Sequence, residues 1–207
     1  MATIPAGCGQ AAAPSLLRGE PSSYLLTIDE LVSPDFTVDT VPHQLAVADI
    51  AGADAAVAQQ LGSAGYLAGA AEEFFRAAGS LADANGPVQV RDTVEEFSST
   101  TGASAVFSAD SKRLDAAAEA TALSTGTLGN EAHATMLTAA ADAVTHAVEF
   151  TVEWRVGNLL NILVVRGRQG GTRLDDALLL AHRQTASALG LATSHPSPTV
   201  IPATSGR

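Results

Sequence analysis

The chain has 207 residues, with 11 Lys plus Arg against 22 Asp plus Glu, a formal charge of −11. Hydrophobic residues make up 46% of it, enough for a packed core, and charged residues only 16%, well below the usual quarter. Lys112, the sole lysine, has Arg113 beside it and no basic run lies elsewhere, which argues against a nucleic-acid surface built on counterion release and against attraction to an anionic membrane.

Residues 1–22 are rich in Gly, Ala, Pro and Ser with no sustained period and read as a flexible tether. They include "IPAGCGQAAAPS", in which Cys8 follows Ala6 and Gly7. As the single cysteine of the chain it cannot form an internal disulfide. The seven residues before it hold no charged or apolar leader region, so the signal peptide is incomplete in this sequence. Residues 23–192 show no break in composition and are expected to form one domain, and the Pro/Ser/Thr-rich stretch 193–207 a disordered tail.

Within that domain, Leu25, Leu26, Ile28 and Leu31 predict a helical turn that Pro34 ends. "DFTVDTV" alternates as a first strand, and 51–61 reads as a helix stopped by Gly62. "GYLAGAAEEFFRAAGS" is compatible with helix or strand. In "GPVQVRDTVEEFSS", Val88, Val90, Asp92, Val94 and Glu96 share one parity and Gln89, Arg91, Thr93, Glu95 and Phe97 the other, a strand with room for a bulge before Phe97. Ala103, Val106, Phe107, Leu114 and Ala117 then line one helical face, with Ser99, Thr100 or Thr101 as N-cap.

The best-patterned stretch is "VEFTVEWRVGNLLNILVVRG", 148–167. Val148, Phe150, Val152 and Trp154 alternate with polar residues, Gly157-Asn158 marks a turn, and 159–166 is apolar on both parities apart from Asn161, as in a central strand covered on both faces. A two-residue loop sets Trp154 against Asn161; a three-residue loop sets it opposite Leu160 and Glu153 opposite Asn161. The second pairs like with like and is the expected register. The run 159–165 is also the longest apolar stretch and falls far short of the ~20 residues of a membrane span. "TRLDDALLLAHRQTASALG" is a helix opened by Thr172 and Asp175, striped by Leu174, Leu178, Ala181, Thr185 and Ala188, and stopped by Gly190. The ensemble predicts an α+β fold: a curved, mainly antiparallel sheet with helices packed on it, the C-terminal helix covering the hairpin.

Chemistry-bearing motifs are few. The five histidines, His43, His133, His146, His182 and His195, form no HExxH, HxH or Cys/His pattern. In "GNEAH", Glu131 and His133 share a face if the segment is extended and are weak candidates for holding a metal. His182 lies off the apolar stripe of the last helix and is expected to face solvent. No G-x-S-x-G elbow, G-x-G-x-x-G turn, Walker loop or EF-hand spacing is present, so no cofactor is expected.

The order "GYLAGAAEEFF", "FSSTTGASAVF", "LGNEAH", "VEWRVGNLLNILVVRG" and "LDDALLLAHRQ", over residues 24–189, resembles secreted lipoproteins of high-GC bacteria and their sensor-type extracytoplasmic domains, with a PsbP-like α+β arrangement. The resemblance implies acylation at Cys8 and attachment to a membrane through that lipid alone, and it carries no catalytic residues. Pro5 departs from its pattern, standing where a lipobox usually has Leu. The expected function is that of a non-enzymatic extracytoplasmic domain binding a small molecule, envelope component or protein, with no nucleic-acid partner. The alternative is a hydrolase or metal-dependent enzyme using Glu131 and His133 with Asp110 or His146; an assembly role is a third reading.

Overall fold

The computed structural model describes residues 16–76, 85–140 and 146–191. Among the described residues, seven strands form one open antiparallel sheet: β1 (Phe36–Leu45), β2 (Tyr66–Arg76), β3 (Gln89–Phe97), β4 (Thr121–Leu123), β5 (Glu131–Ala140), β6 (His146–Val156) and β7 (Leu159–Arg168). Their spatial order is β1-β2-β3-β7-β6-β5-β4. The described residues also form the helices α1 (Val47–Ala51), α2 (Ala55–Ala64), α3 (Thr100–Ala116) and α4 (Leu174–Ala188). This is the α+β architecture the alternation predicts. The strand apolar on both parities, β7, occupies the centre of the sheet.

The alternation of each strand divides its side chains between two covered faces. On one face, Val90, Phe150, Val152, Trp154, Leu163 and Val165 are buried beneath Ala177, Leu180 and Ala181 of α4. Two 3-10 turns, Pro21–Tyr24 and Ile28–Glu30, extend that cover toward β1–β3. Each large apolar side chain so buried contributes about 1.5–3 kcal/mol. On the other face, Phe97 and Leu160 pack against Leu61 of α2 and Ala103 and Val106 of α3. Ser99 is the N-cap of α3, its hydroxyl accepting from the Gly102 amide at 3.0 Å.

Several local expectations are corrected. The stretch 51–61 is not one helix: it breaks at Gly52, which takes φ of +54°, and restarts at Asp54, whose Oδ1 accepts from the Ala56 and Val57 amides at 2.9 and 3.2 Å. Gly62 lies inside α2, and Gly65, at φ +74°, ends it. Of "GYLAGAAEEFFRAAGS", Tyr66–Arg76 is strand β2, and residues 77–80 lie outside the described residues. The irregularity near Phe97 sits on the partner strand, where the pairing shifts between Tyr66 and Ala68.

The β6–β7 loop has two residues, Gly157 and Asn158, so Trp154 faces Asn161 and Glu153 faces Ile162. The polar neighbour is tolerated because Asn161 Nδ2 donates to the Trp154 carbonyl at 3.3 Å, while the indole N–H finds Thr185 Oγ1 at 2.9 Å. The cap of α4 falls one residue later than expected, the Arg173 amide donating to Asp176 Oδ2 at 2.9 Å. Its most buried line is Ala177, Leu180, Ala181 and Gln184, with Leu174 and Leu178 flanking. Residues 16–22, assigned to the tether from sequence, include the Leu17 amide bonded to Asn158 Oδ1 at 2.6 Å and a buried Pro21. The expected C-terminal tail from 193 lies outside the described residues.

Candidate functional site

Helix α3 crosses β5, β6, β7 and β3, whereas α1 lies against β1 and α2 against β2 and α3. Between these covers a pocket of about 470 Å³ opens over β1, β2, β3 and β7. That volume lies within the usual range of small-molecule sites. Strand β1 forms its outer wall and is bent by register shifts between Val38 and Thr40 and between Thr40 and His43. Such shifts increase local twist, and Pro42 within the same stretch offers no N–H to a ladder.

The apolar lining comes from Leu45, Ile50, Ala71 and Ile162. At the mouth, Arg91 Nη2 lies 3.3 Å from Glu73 Oε2, and Gln89 donates to the other oxygen of the same carboxylate. Asp49 lines the pocket from α1, where its Oδ2 accepts from the Ala46 amide at 2.7 Å. Tyr66 stands beside these groups: its hydroxyl donates to the Leu45 carbonyl at 2.6 Å, and its ring meets Phe97 edge-on at 5.8 Å. Burial, then the Glu95 and Asp49 carboxylates, push the Tyr66 phenol well above its ordinary range, so it stays neutral.

Glu95 lies at the floor. It is 2% exposed, lines the pocket, and its Oε2 has no hydrogen-bond partner among the described residues. Burial pushes its pKa up to about 8; Asp110 adds to the shift and Arg113 opposes it. Behind it, on β6, Glu153 is also buried and is pushed up to about 9, by burial first and then by Asp110. Ser111 Oγ donates to Glu153 Oε2 at 3.2 Å, leaving Oε1 without a partner among the described residues. Asp110 pairs with Arg113, and burial raises its pKa as well. The two carboxyls thus stand on the strands either side of β7, Glu95 opposite Leu160 and Glu153 opposite Ile162, each able to donate when protonated and to accept once deprotonated.

The opposite face holds a second buried acidic group, in which Glu72 also reaches the edge of the pocket. Asp92 accepts from the Leu26 amide at 2.7 Å and from Gln184 Nε2 at 3.0 Å, and burial holds its pKa at about 7. Glu72 beside it is raised to about 8 by burial, Asp92 and Glu30. With its hydrogen bonds to backbone and to α4, Asp92 is a structural tie.

The residues singled out from sequence lie elsewhere. Glu131 and His133 do share a face of β5, but each has its own partner. Glu131 accepts from Arg155 Nε at 2.6 Å and from Ser104 Oγ at 3.1 Å; His133 Nε2 lies 3.0 Å from Asp115 Oδ1. Among the described residues no group of three His, Cys, Asp or Glu is placed to hold a metal. Asp110 is engaged by Arg113, and His146 and His182 are exposed. Cys8 lies outside the described residues. Sequence reasoning did not single out Glu95 or Glu153. The available signal was a carboxylate next to Phe97 on a parity that also carries Thr93, a row too apolar at one end for a fully solvated face.

No protein-family model matches the chain, and no curated protein sequence matches it. Among solved structures the chain is similar to the extracellular domain of PknH from Mycobacterium tuberculosis, with a TM-score of 0.50 and 12% identity, over 84% of this chain and 98% of that one. At that identity the likeness is one of fold.

Proposed function

We propose that this chain is a non-enzymatic extracytoplasmic domain that binds a small ligand in the pocket over β1, β2, β3 and β7. The observation that carries the reading is the buried, unpartnered Glu95 carboxyl at the floor of a cavity of about 470 Å³. A desolvated polar group without a partner costs roughly 1–3 kcal/mol, a cost that a ligand supplying the missing hydrogen bond removes. The extracytoplasmic part is supported by the shared fold with an extracellular domain. Attachment through a lipid on Cys8 remains part of the same proposal, motivated by the small residues before it and the Gly/Ala/Pro stretch after it.

The Glu131/His133 alternative has against it the Arg155 guanidinium on Glu131, a cation already in the place a metal would take. Amide-resolved NMR titration with a library of neutral, cationic and anionic fragments tests the pocket. Shifts gathered on Thr93, Glu95 and Ile162 support it; binders that perturb only other surfaces overturn it. Metabolic labelling with a fatty acid, lost in Cys8→Ser, tests the anchor, and an unlabelled wild-type chain removes it.

A further inference from the structure

We propose that the pocket takes a small organic monocation, a primary amine or a guanidinium, with its head group on Glu95 and its apolar part along Leu45, Ile50 and Ile162. This rests on the reading of the cavity as a ligand site and names the ligand's charge class.

Three observations lead to it. First, the pocket's own cation is engaged: Arg91 is paired with Glu73 at 3.3 Å, so an anionic ligand finds no uncommitted guanidinium at the wall. Second, the carboxylates are not balanced. Once the Arg91–Glu73 pair is set aside, Asp49, Glu72 and Glu95 line the pocket, and the other basic side chain of the described lining, the exposed His43, keeps its Nδ1 3.2 Å from the Val41 carbonyl. Third, Glu95 Oε2 is an acceptor site with no donor, in a residue 2% exposed. An ammonium or guanidinium supplies both the charge and the N–H that this oxygen lacks, and charge-assisted bonds of this kind are the stronger sort. A metal ion is a poorer fit, because no set of three ligating side chains converges there among the described residues. The apolar walls suit the carbon skeleton of an organic cation.

Protonation adds a signature. The charged or titratable groups around Glu95 and its pocket are Asp110 and Arg113 from α3, Glu153 from β6, Tyr66, Glu72 and Glu73 from β2, His43 from β1, Asp49 from α1 and Arg91 on its own strand. In the empty pocket the Glu95 carboxyl keeps its proton up to about pH 8. A bound cation favours the carboxylate, so the proton leaves as the ligand enters and affinity climbs with pH below that value.

The test is an NMR titration of the domain with benzylamine, benzyl alcohol and benzoate, followed at the amides of Thr93, Glu95 and Ile162. Benzylamine is expected to bind, the other two at least about tenfold more weakly, and its affinity to rise by up to about tenfold per pH unit between pH 6 and 7.5. Glu95→Gln, which keeps the side-chain shape, is expected to abolish that pH dependence and lower benzylamine affinity at least about tenfold. Thr40→Lys places an ammonium at a half-buried wall position and is expected to exclude benzylamine, which keeps the test decisive if the first variant folds poorly. Benzyl alcohol or benzoate binding as tightly as benzylamine overturns the cation while leaving the pocket. Unchanged benzylamine binding in either folded variant overturns the assigned head-group position. No shift at these amides with any of the three probes overturns both this proposal and the pocket reading.

Discussion

Gln184 and Asp92 are 92 residues apart in the chain and 3.0 Å apart in space, the amide nitrogen of one donating to Oδ1 of the other. The same nitrogen donates to the Tyr24 carbonyl at 3.1 Å, and Oδ2 of Asp92 accepts from the Leu26 amide at 2.7 Å. The pair thus ties α4, β3 and the N-terminal turn together at one buried point. Gln184→Leu is expected to lower stability by about 2–3 kcal/mol in urea unfolding, since it strands a buried carboxyl and a carbonyl. Hydrogen exchange at the Leu26 amide should accelerate more than exchange at β5. Unchanged Leu26 protection in the variant would contradict the tie.

Stability is expected to fall as pH rises from about 5 to 9. Burial holds Glu72, Asp92, Glu95 and Glu153 protonated up to about 8, 7, 8 and 9, against ordinary values of 4.5, 3.8, 4.5 and 4.5. Between each ordinary value and its raised one the folded chain binds more protons than the unfolded chain, so raising the pH favours unfolding. Glu153→Gln keeps the shape and removes one ionisation. Its melting temperature should exceed that of the wild type at pH 8.5, with little difference at pH 5. A wild-type Tm that climbs steadily from pH 5 to 9 is the opposite of what these carboxyls require.

Gly102→Ala should destabilise the domain although alanine is the better helix former by roughly 1 kcal/mol. A Cβ at Gly102 runs into the carbonyl oxygen of Ala64, the last residue of α2, and that oxygen is backbone with nowhere to move cheaply. Overpacking of this kind costs about 1–3 kcal/mol, so the clash outweighs the propensity gain. Chemical denaturation of the variant gives the sign directly. A more stable Gly102→Ala protein would mean that α2 and α3 are not so closely apposed.

Trp154 is the single tryptophan of the chain and is fully buried, so its fluorescence reports on one place. Thr185→Val removes the hydroxyl that accepts the indole N–H and should cost about 1–3 kcal/mol, as a buried donor is left unpaired. The emission maximum of the variant should stay blue-shifted while its urea midpoint falls. A red-shifted native spectrum would indicate that the packing, and not only the hydrogen bond, had failed.

The strands were legible because alternation is local. Val148 to Trp154 announced a half-buried strand, and the two-sided apolar run after Gly157 announced the centre of the sheet. The hairpin register was not legible from polarity matching, because Asn161 stands beside Trp154 without penalty, its amide donating to the Trp154 carbonyl. The break at Gly52 was missed because 51–61 is rich in alanine, and the Asp54 cap inside it was passed over. The pocket was not legible. Glu95 becomes a floor residue only through where α3 stops covering the sheet, a matter of long-range packing. The Glu131/His133 pairing was correct in parity, yet its chemistry depended on Arg155, two strands' worth of sequence away.

The central place of β7 has a consequence for how the molecule is made. Strands β1–β3 form one antiparallel ribbon and β4–β7 another, and the seam between them is the pairing of β3 with β7, from Gln89–Arg166 to Glu96–Leu159. A chain emerging from its N-terminus holds β3 with one edge unpaired until residue 168 is available. Vectorial synthesis therefore cannot finish either ribbon's core early, and non-local closure of this sort is slow. A product cut short before β7 keeps an open edge flanked by Val90 and Val94, a template for pairing with another chain. Completion of the last strand is what pairs the open edge of β3 and joins the two ribbons into one sheet.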